Sequence, residues 1–155
     1  MDEGAATRRK ENERLNEQLL DLAQPFPASF ISQVDKGSYK ADYVPWTTIA
    51  QMLLVKLGPY SWHVDATYSP GGNQITIAGH LTVIIDDTEV TVGAIQSDEA
   101  VGNKSVNPEA AESRCLARAA AKLGLGLHLW TGDKYPYFLE KSLRSGDDLA
   151  EVLSN

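Results

Sequence analysis

One cysteine in 155 residues leaves no partner for an intrachain disulfide, and a lone thiol suits a reducing compartment. No apolar run is long enough to span a membrane. The opening Met-Asp-Glu-Gly-Ala-Ala-Thr-Arg-Arg-Lys lacks the apolar segment of a secretion signal. A soluble, cytoplasmic protein with no membrane partner is expected. Positive charge is scarce: 14 Lys and Arg stand against 21 Asp and Glu, for a net −7. That balance excludes a surface that is basic throughout and holds polyanions indiscriminately. Catalytic signatures are missing as well. No glycine-rich loop ends in Gly-Lys-Ser or Gly-Lys-Thr, which argues against ATP use. His63, His80 and His128 form no pair at helical spacing and no H-E-x-x-H arrangement. Gly124-Leu125-Gly126 follows a helical pattern instead of opening one, the wrong order for a dinucleotide loop. The expectation is a protein that is not an enzyme, with no cofactor and no metal.

A hydrophobic share of 43% supplies a core. The negative charge gathers at the ends. Residues 1–25 hold four basic and six acidic side chains, and residues 146–155 hold none and three. Residues 26–145 carry ten and twelve, which is near neutral and leaves room for a local basic groove. The expected organisation is a charged, partly helical segment over 1–25, one folded domain over 26–145, and an acidic flexible tail over 146–155.

Along the chain, Leu15, Leu19, Leu20 and Leu22 predict a helix that stops before Pro25, with a frayed start. A short element is expected over 29–34, then a turn at Lys36-Gly37. Pro45 to Leu57 reads as a helix with Ile49, Met52, Leu53 and Leu57 as its apolar stripe, stopped by Gly58-Pro59. Trp62 to Tyr68 alternates like a strand, Pro70-Gly71-Gly72-Asn73 turns, and Gln74 to Ile85 reads as a second strand. Asp86-Asp87 turns again into a third strand over 89–95, with Val90 and Val92 on one face. Residues 96–106 show no periodicity and are expected to be a loop. A turn at Thr131-Gly132-Asp133 and a short closing helix over 137–143 complete the reading.

The most informative stretch runs from Asn107 to Trp130. Asn107 is a helix cap, Pro108 suits the first helical position, and Glu109 and Glu112 sit at the positive end of the dipole. Ala, Leu and Arg sustain a helix over 108–123, and Gly124 ends it in a left-handed cap. Arg114, Arg118 and Lys122 recur every four residues as one basic ridge beside Ala111, Cys115, Ala119 and Leu123. The fold class expected is α+β: an antiparallel β-meander of three or more strands packed against this long helix, with a helix before the sheet.

Four segments resemble the Rad-fifty-two type of single-strand annealing protein. They are Tyr43-Val44-Pro45-Trp46 with Gly58-x-x-x-Trp62, the meander carrying 81–83 and 90–93, the Gly102-Asn103-Lys104-Ser105 loop, and 110–126. The ending Gly126-Leu127-His128-Leu129-Trp130 is similar to the bacterial and phage branches. The resemblance covers roughly 26–145. It implies single-stranded DNA held along a groove on a homo-oligomeric ring or helical filament, and annealing of complementary strands in recombination or repair without nucleotide hydrolysis. By position it implies that Arg118 is the second residue of a Lys-Arg pair facing DNA, with Ala117 replacing the first. Ala121 stands where another basic residue is frequent. A partner exonuclease or single-strand-binding protein stays open.

The candidate DNA-binding residues are Arg118, Lys122, Arg114, Lys104, Lys40 and Lys36, with Tyr43 and Trp46 as stacking platforms. For the aromatics, core or interface packing is the competing reading; for the cations, an ordinary solvated surface. Cys115 reads as a small core residue, and His63 and His80 as sheet histidines. Two other functions remain open: a small metal-dependent nuclease using Asp65, Asp86, Asp87 or Glu89, and an oligomeric interaction module that kept the fold without DNA binding.

Overall fold

Three long antiparallel strands form the centre of the molecule in a computed structural model that describes residues 2–35, 37 and 40–131. The elements are α1 (Glu3–Leu22), β1 (Ser32–Asp35), β2 (Lys40–Tyr43), α2 (Trp46–Leu57), β3 (Ser61–Tyr68), β4 (Gln74–Ile85), β5 (Thr88–Glu99), α3 (Pro108–Ala121) and α4 (His128–Thr131). The sheet order is β3-β4-β5, and β1 and β2 pair separately as a hairpin. The fold is the expected α+β arrangement, with the meander packed against α3.

Side chains of β4 alternate strictly. Ile75, Ile77, Leu81, Val83 and Ile85 are buried toward α3, while His80 and Ile84 face outward. Ala94 on β5 joins the buried face, and Val90 and Val92 pack against it as foreseen. Helix α3 presents Ala111, Cys115, Leu116, Ala119 and Ala120 to that face. Trp62 of β3 crosses beneath the helix, donating its indole N–H to Glu112 Oε1 at 3.2 Å. Gly79 makes this crossing possible: a Cβ there would lie 2.3 Å from the indole ring and 2.9 Å from Cys115 Sγ.

Local chemistry sets the ends of the elements. Asn107 caps α3 through Oδ1, which accepts from Ala110 N at 3.1 Å. At the other end Gly124 has φ +100, Gly124 N donates to Ala121 O at 2.9 Å and Leu125 N to Ala120 O at 3.2 Å. This is a Schellman closure, with Leu125 fully buried behind it. Asp86 and Asp87 both adopt positive φ, 49° and 62°, as a two-residue hairpin with the strand twist requires. Asp86 Oδ1 also accepts from Arg14 Nε at 2.7 Å, and Asp86 N donates to Gln18 Oε1 at 2.9 Å. These contacts, with Leu22 and Ala23 in the core, dock α1 on the rest of the fold.

Some expectations are corrected. Residues 96–99, read as loop, continue β5. Their polar character hid a strand whose partners lie across the ladder, Gln96 opposite Ile77 and Ser97 opposite Thr76, with a Thr76–Ser97 hydroxyl bond of 3.1 Å. The regular part of α3 stops at Ala121, two residues early, because the Schellman turn takes up 122–124. Helix α1 is regular from Glu3, with Asp2 as its cap accepting from Gly4 N. Where only a short element over 29–34 and a turn were expected, β1 pairs with β2 as a hairpin. Thr131 ends α4, and the rest of the turn expected over 131–133 lies outside the described residues. The predicted helix over 137–143 and the tail over 146–155 lie outside the described residues.

Candidate nucleic-acid interface

Four residues of helix advance about 6 Å, close to the roughly 6.8 Å covered by two residues of strand. The ridge of α3 therefore runs in step with alternate residues of β5. Arg114 Nη2 donates to Ser97 O at 3.1 Å, and Lys122 Nζ donates to Gly93 O. Carbonyls two apart on an antiparallel strand point to the same side. Since β5 is the last strand of its sheet, these carbonyls belong to its outer edge. Arg114 and Lys122 thus clip α3 to that edge, and the step between them sets Arg118 level with Ile95.

Arg114 is further engaged by Asp98 Oδ1 at 3.3 Å. The backbone N–H of Asn107, donated to Asp98 Oδ2 at 2.7 Å, and then the Arg114 guanidinium hold the Asp98 carboxyl below the usual carboxylate range. Arg118 is exposed and makes no ion pair or side-chain hydrogen bond among the described residues. With Lys122 it walls an open groove of about 580 Å³, whose other lining includes Ala78, His80, Gly93 and Ile95. Across the ridge lies a second, apolar cavity of about 470 Å³. Tyr43, Trp46 and Trp130 line it, each more than two-fifths exposed, above Ala117 and Leu125, with Arg114 at its rim. No charged side chain among the described residues is buried, so every cation here meets solvent.

The other candidates fall outside this arrangement or outside description. Lys104 is exposed in a tight turn, where Val101 and Lys104 exchange backbone bonds of 3.1 and 2.9 Å on the approach to α3. Lys40 contributes backbone to β2, and Lys36 lies outside the described residues. Cys115 is fully buried; burial pushes its thiol up, and its Sγ lies 3.4 Å from Ala94 O. His128 lies edge-on to Phe26 at 5.3 Å between ring centroids. Among the described residues no three His, Cys, Asp or Glu side chains converge as metal ligands. Asp65 stands beside His63 at 3.5 Å, and Asp86 beside Arg14.

No family profile matches the sequence. The chain is 31% identical over 123 residues to the DNA repair RAD52-like protein 1, mitochondrial, of Arabidopsis thaliana, covering 77% of this chain and 69% of that protein. The chain belongs to the RAD52-like family. In this RAD52-like chain Ala117, which the resemblance sets against the first basic residue of the pair, lines the aromatic cavity. Sequence reasoning missed two parts of the site. One is the aromatic partner Trp130, noted only as an element of the C-terminal motif. The other is His80, read as a sheet histidine; only the β4–β5 register brings it beside Gly93.

Proposed function

We propose that this RAD52-like protein binds single-stranded DNA on a homo-oligomeric ring or helical assembly and anneals complementary strands without ATP, in recombination or repair. The observation that carries the reading is Arg118. Among the described residues its side chain has no partner, and it stands beside Lys122 over an open groove, on the helix that the resemblance implies would face DNA. Phosphate contacts from Arg118 and Lys122, with Arg114 next along the same ridge, neutralise one strand so that a second can approach; Lys104, Lys40 and Lys36 are further candidates by sequence alone. Tyr43 and Trp46, joined by Trp130, offer stacking platforms worth about 1–3 kcal/mol per base. No step requires covalent chemistry, so the reading is of a protein that is not an enzyme. The outer edge of β3 is a surface on which neighbouring copies can add.

Mixing two labelled complementary oligonucleotides without ATP, with particle size measured in parallel, tests this. Pairing faster than spontaneous, on a particle larger than a monomer, is expected. The double variant Arg118→Ala, Lys122→Ala should lose binding and keep the particle. An oligomer without DNA affinity would instead favour the interaction-module reading. One observation supports that alternative: Arg114 and Lys122 already serve the chain's own β5 edge. The phage or bacterial branch rests on the 126–130 ending, whereas the relative is from a plant. Cytosolic placement rests on the single cysteine, and the relative carries a mitochondrial name; fractionation of the tagged protein separates the two.

A further inference from the structure

The groove beside Arg118 has a far wall that the reading above leaves unused. His80 is exposed on the outward face of β4, and exposed His63 on β3 is its direct cross-strand neighbour. On its other side His80 is paired with Gly93 of β5. A side-chain carbon built at Gly93 would lie 3.8 Å from the imidazole Cδ2. Glycine therefore leaves the way open between that ring and the β5 edge, where Lys122 donates to the Gly93 carbonyl. Lys122, His80 and His63 form a line across the sheet, His80 and His63 one strand spacing of about 4.8 Å apart, with Arg118 beside it.

We propose that His80 is a nucleic-acid contact: a single strand gripped by Arg118 and Lys122 continues over Gly93 onto this imidazole, with His63 behind it. The inference rests on the DNA-binding reading. An imidazole donates a hydrogen bond to a phosphate oxygen or stacks on a base, and its protonated form adds a charge. The groups that face His80 are identifiable. From β3 come His63 and Asp65; from β5 come Thr91, Gly93 and Ile95, all uncharged; from α3 come Arg118 and Lys122. The Asp65 carboxylate stands 3.5 Å from His63 Nε2. It answers His63, and leaves His80 as the imidazole that meets a phosphate. Acidification then strengthens binding through His80.

The test is anisotropy of a labelled thymine oligonucleotide with the full chain at fixed salt, at about pH 8 and about pH 5.5, which bracket histidine chemistry in general. The wild type should bind roughly three- to tenfold tighter at the lower pH, the scale of one net hydrogen bond at a solvated surface. His80→Gln should lose that response, and His80→Arg should bind at about pH 8 as tightly as the wild type does in acid. Circular dichroism confirms that each variant folds. If His80→Gln keeps wild-type affinity and pH response while Arg118→Ala weakens binding, the inference falls and the DNA reading stands. If the wild type does not bind the oligonucleotide at all, both fall.

Discussion

At Gly79 a single methyl group has nowhere to go, because Trp62 and Cys115 already occupy its place at 2.3 and 2.9 Å. The indole is anchored to Glu112 and cannot slide aside freely. Gly79→Ala should therefore lower unfolding stability by about 1–3 kcal/mol, the usual cost of overpacking, in a urea titration. His128 supplies a second residue-scale prediction. Its Nε2 accepts from Phe26 N at 3.4 Å, and burial lowers its pKa from the ordinary 6.5. The unfolded chain then takes up the proton first. The contribution of this group is complete above about pH 6.5 and is lost as pH falls toward the lowered folded value. Stability measured between about pH 7.5 and about pH 5.5 should decline, and His128→Gln should decline less. Neither effect was legible in the sequence. Both arise from partners distant in the chain, Trp62 against Gly79 and Phe26 against His128.

The elements themselves were far more legible. The α3 start followed from Asn107 and Pro108, and the left-handed closure at Gly124 was legible although the regular helix stops at Ala121; the chemistry is local, and Asn107→Ala should cost about 1 kcal/mol of stability. Strand β4 was read to the residue because its alternation is complete. The end of β5 was lost because Gln96 to Glu99 are polar and owe their conformation to the ladder with β4. The basic ridge was visible as a repeat of four, but its alignment with the β5 edge was not. That alignment separates the three cations: Arg114 and Lys122 clip the helix, and Arg118 is left open. It also gives the groove a floor of small residues. A Cβ at Gly93 meets only ordinary contacts, the nearest 3.6 Å from Gly79 O. Gly93→Val should therefore fold normally by circular dichroism yet weaken oligonucleotide binding several-fold by raising that floor.

On the scale of the whole molecule, a net charge of −7 coexists with a cationic seam because the near-neutral centre lies between acidic ends. The α+β class and the RAD52-like relationship were both readable, the first from periodicity and the second from four short motifs in order. The proposed assembly and strand pairing would belong to many copies together, and residue patterns within one chain do not encode their number. What one chain does define is a geometry: α3, laid along the β5 edge, holds Arg118 out beside an open groove, the position from which we propose that it contacts phosphate. The most direct measurement is the salt dependence of single-strand affinity for the wild type and Arg118→Ala. Wild-type affinity should fall steeply with salt, and the variant should bind more weakly with a log–log slope shallower by about 0.7, one contact's worth. Identical affinity and slope in the two proteins would contradict the account.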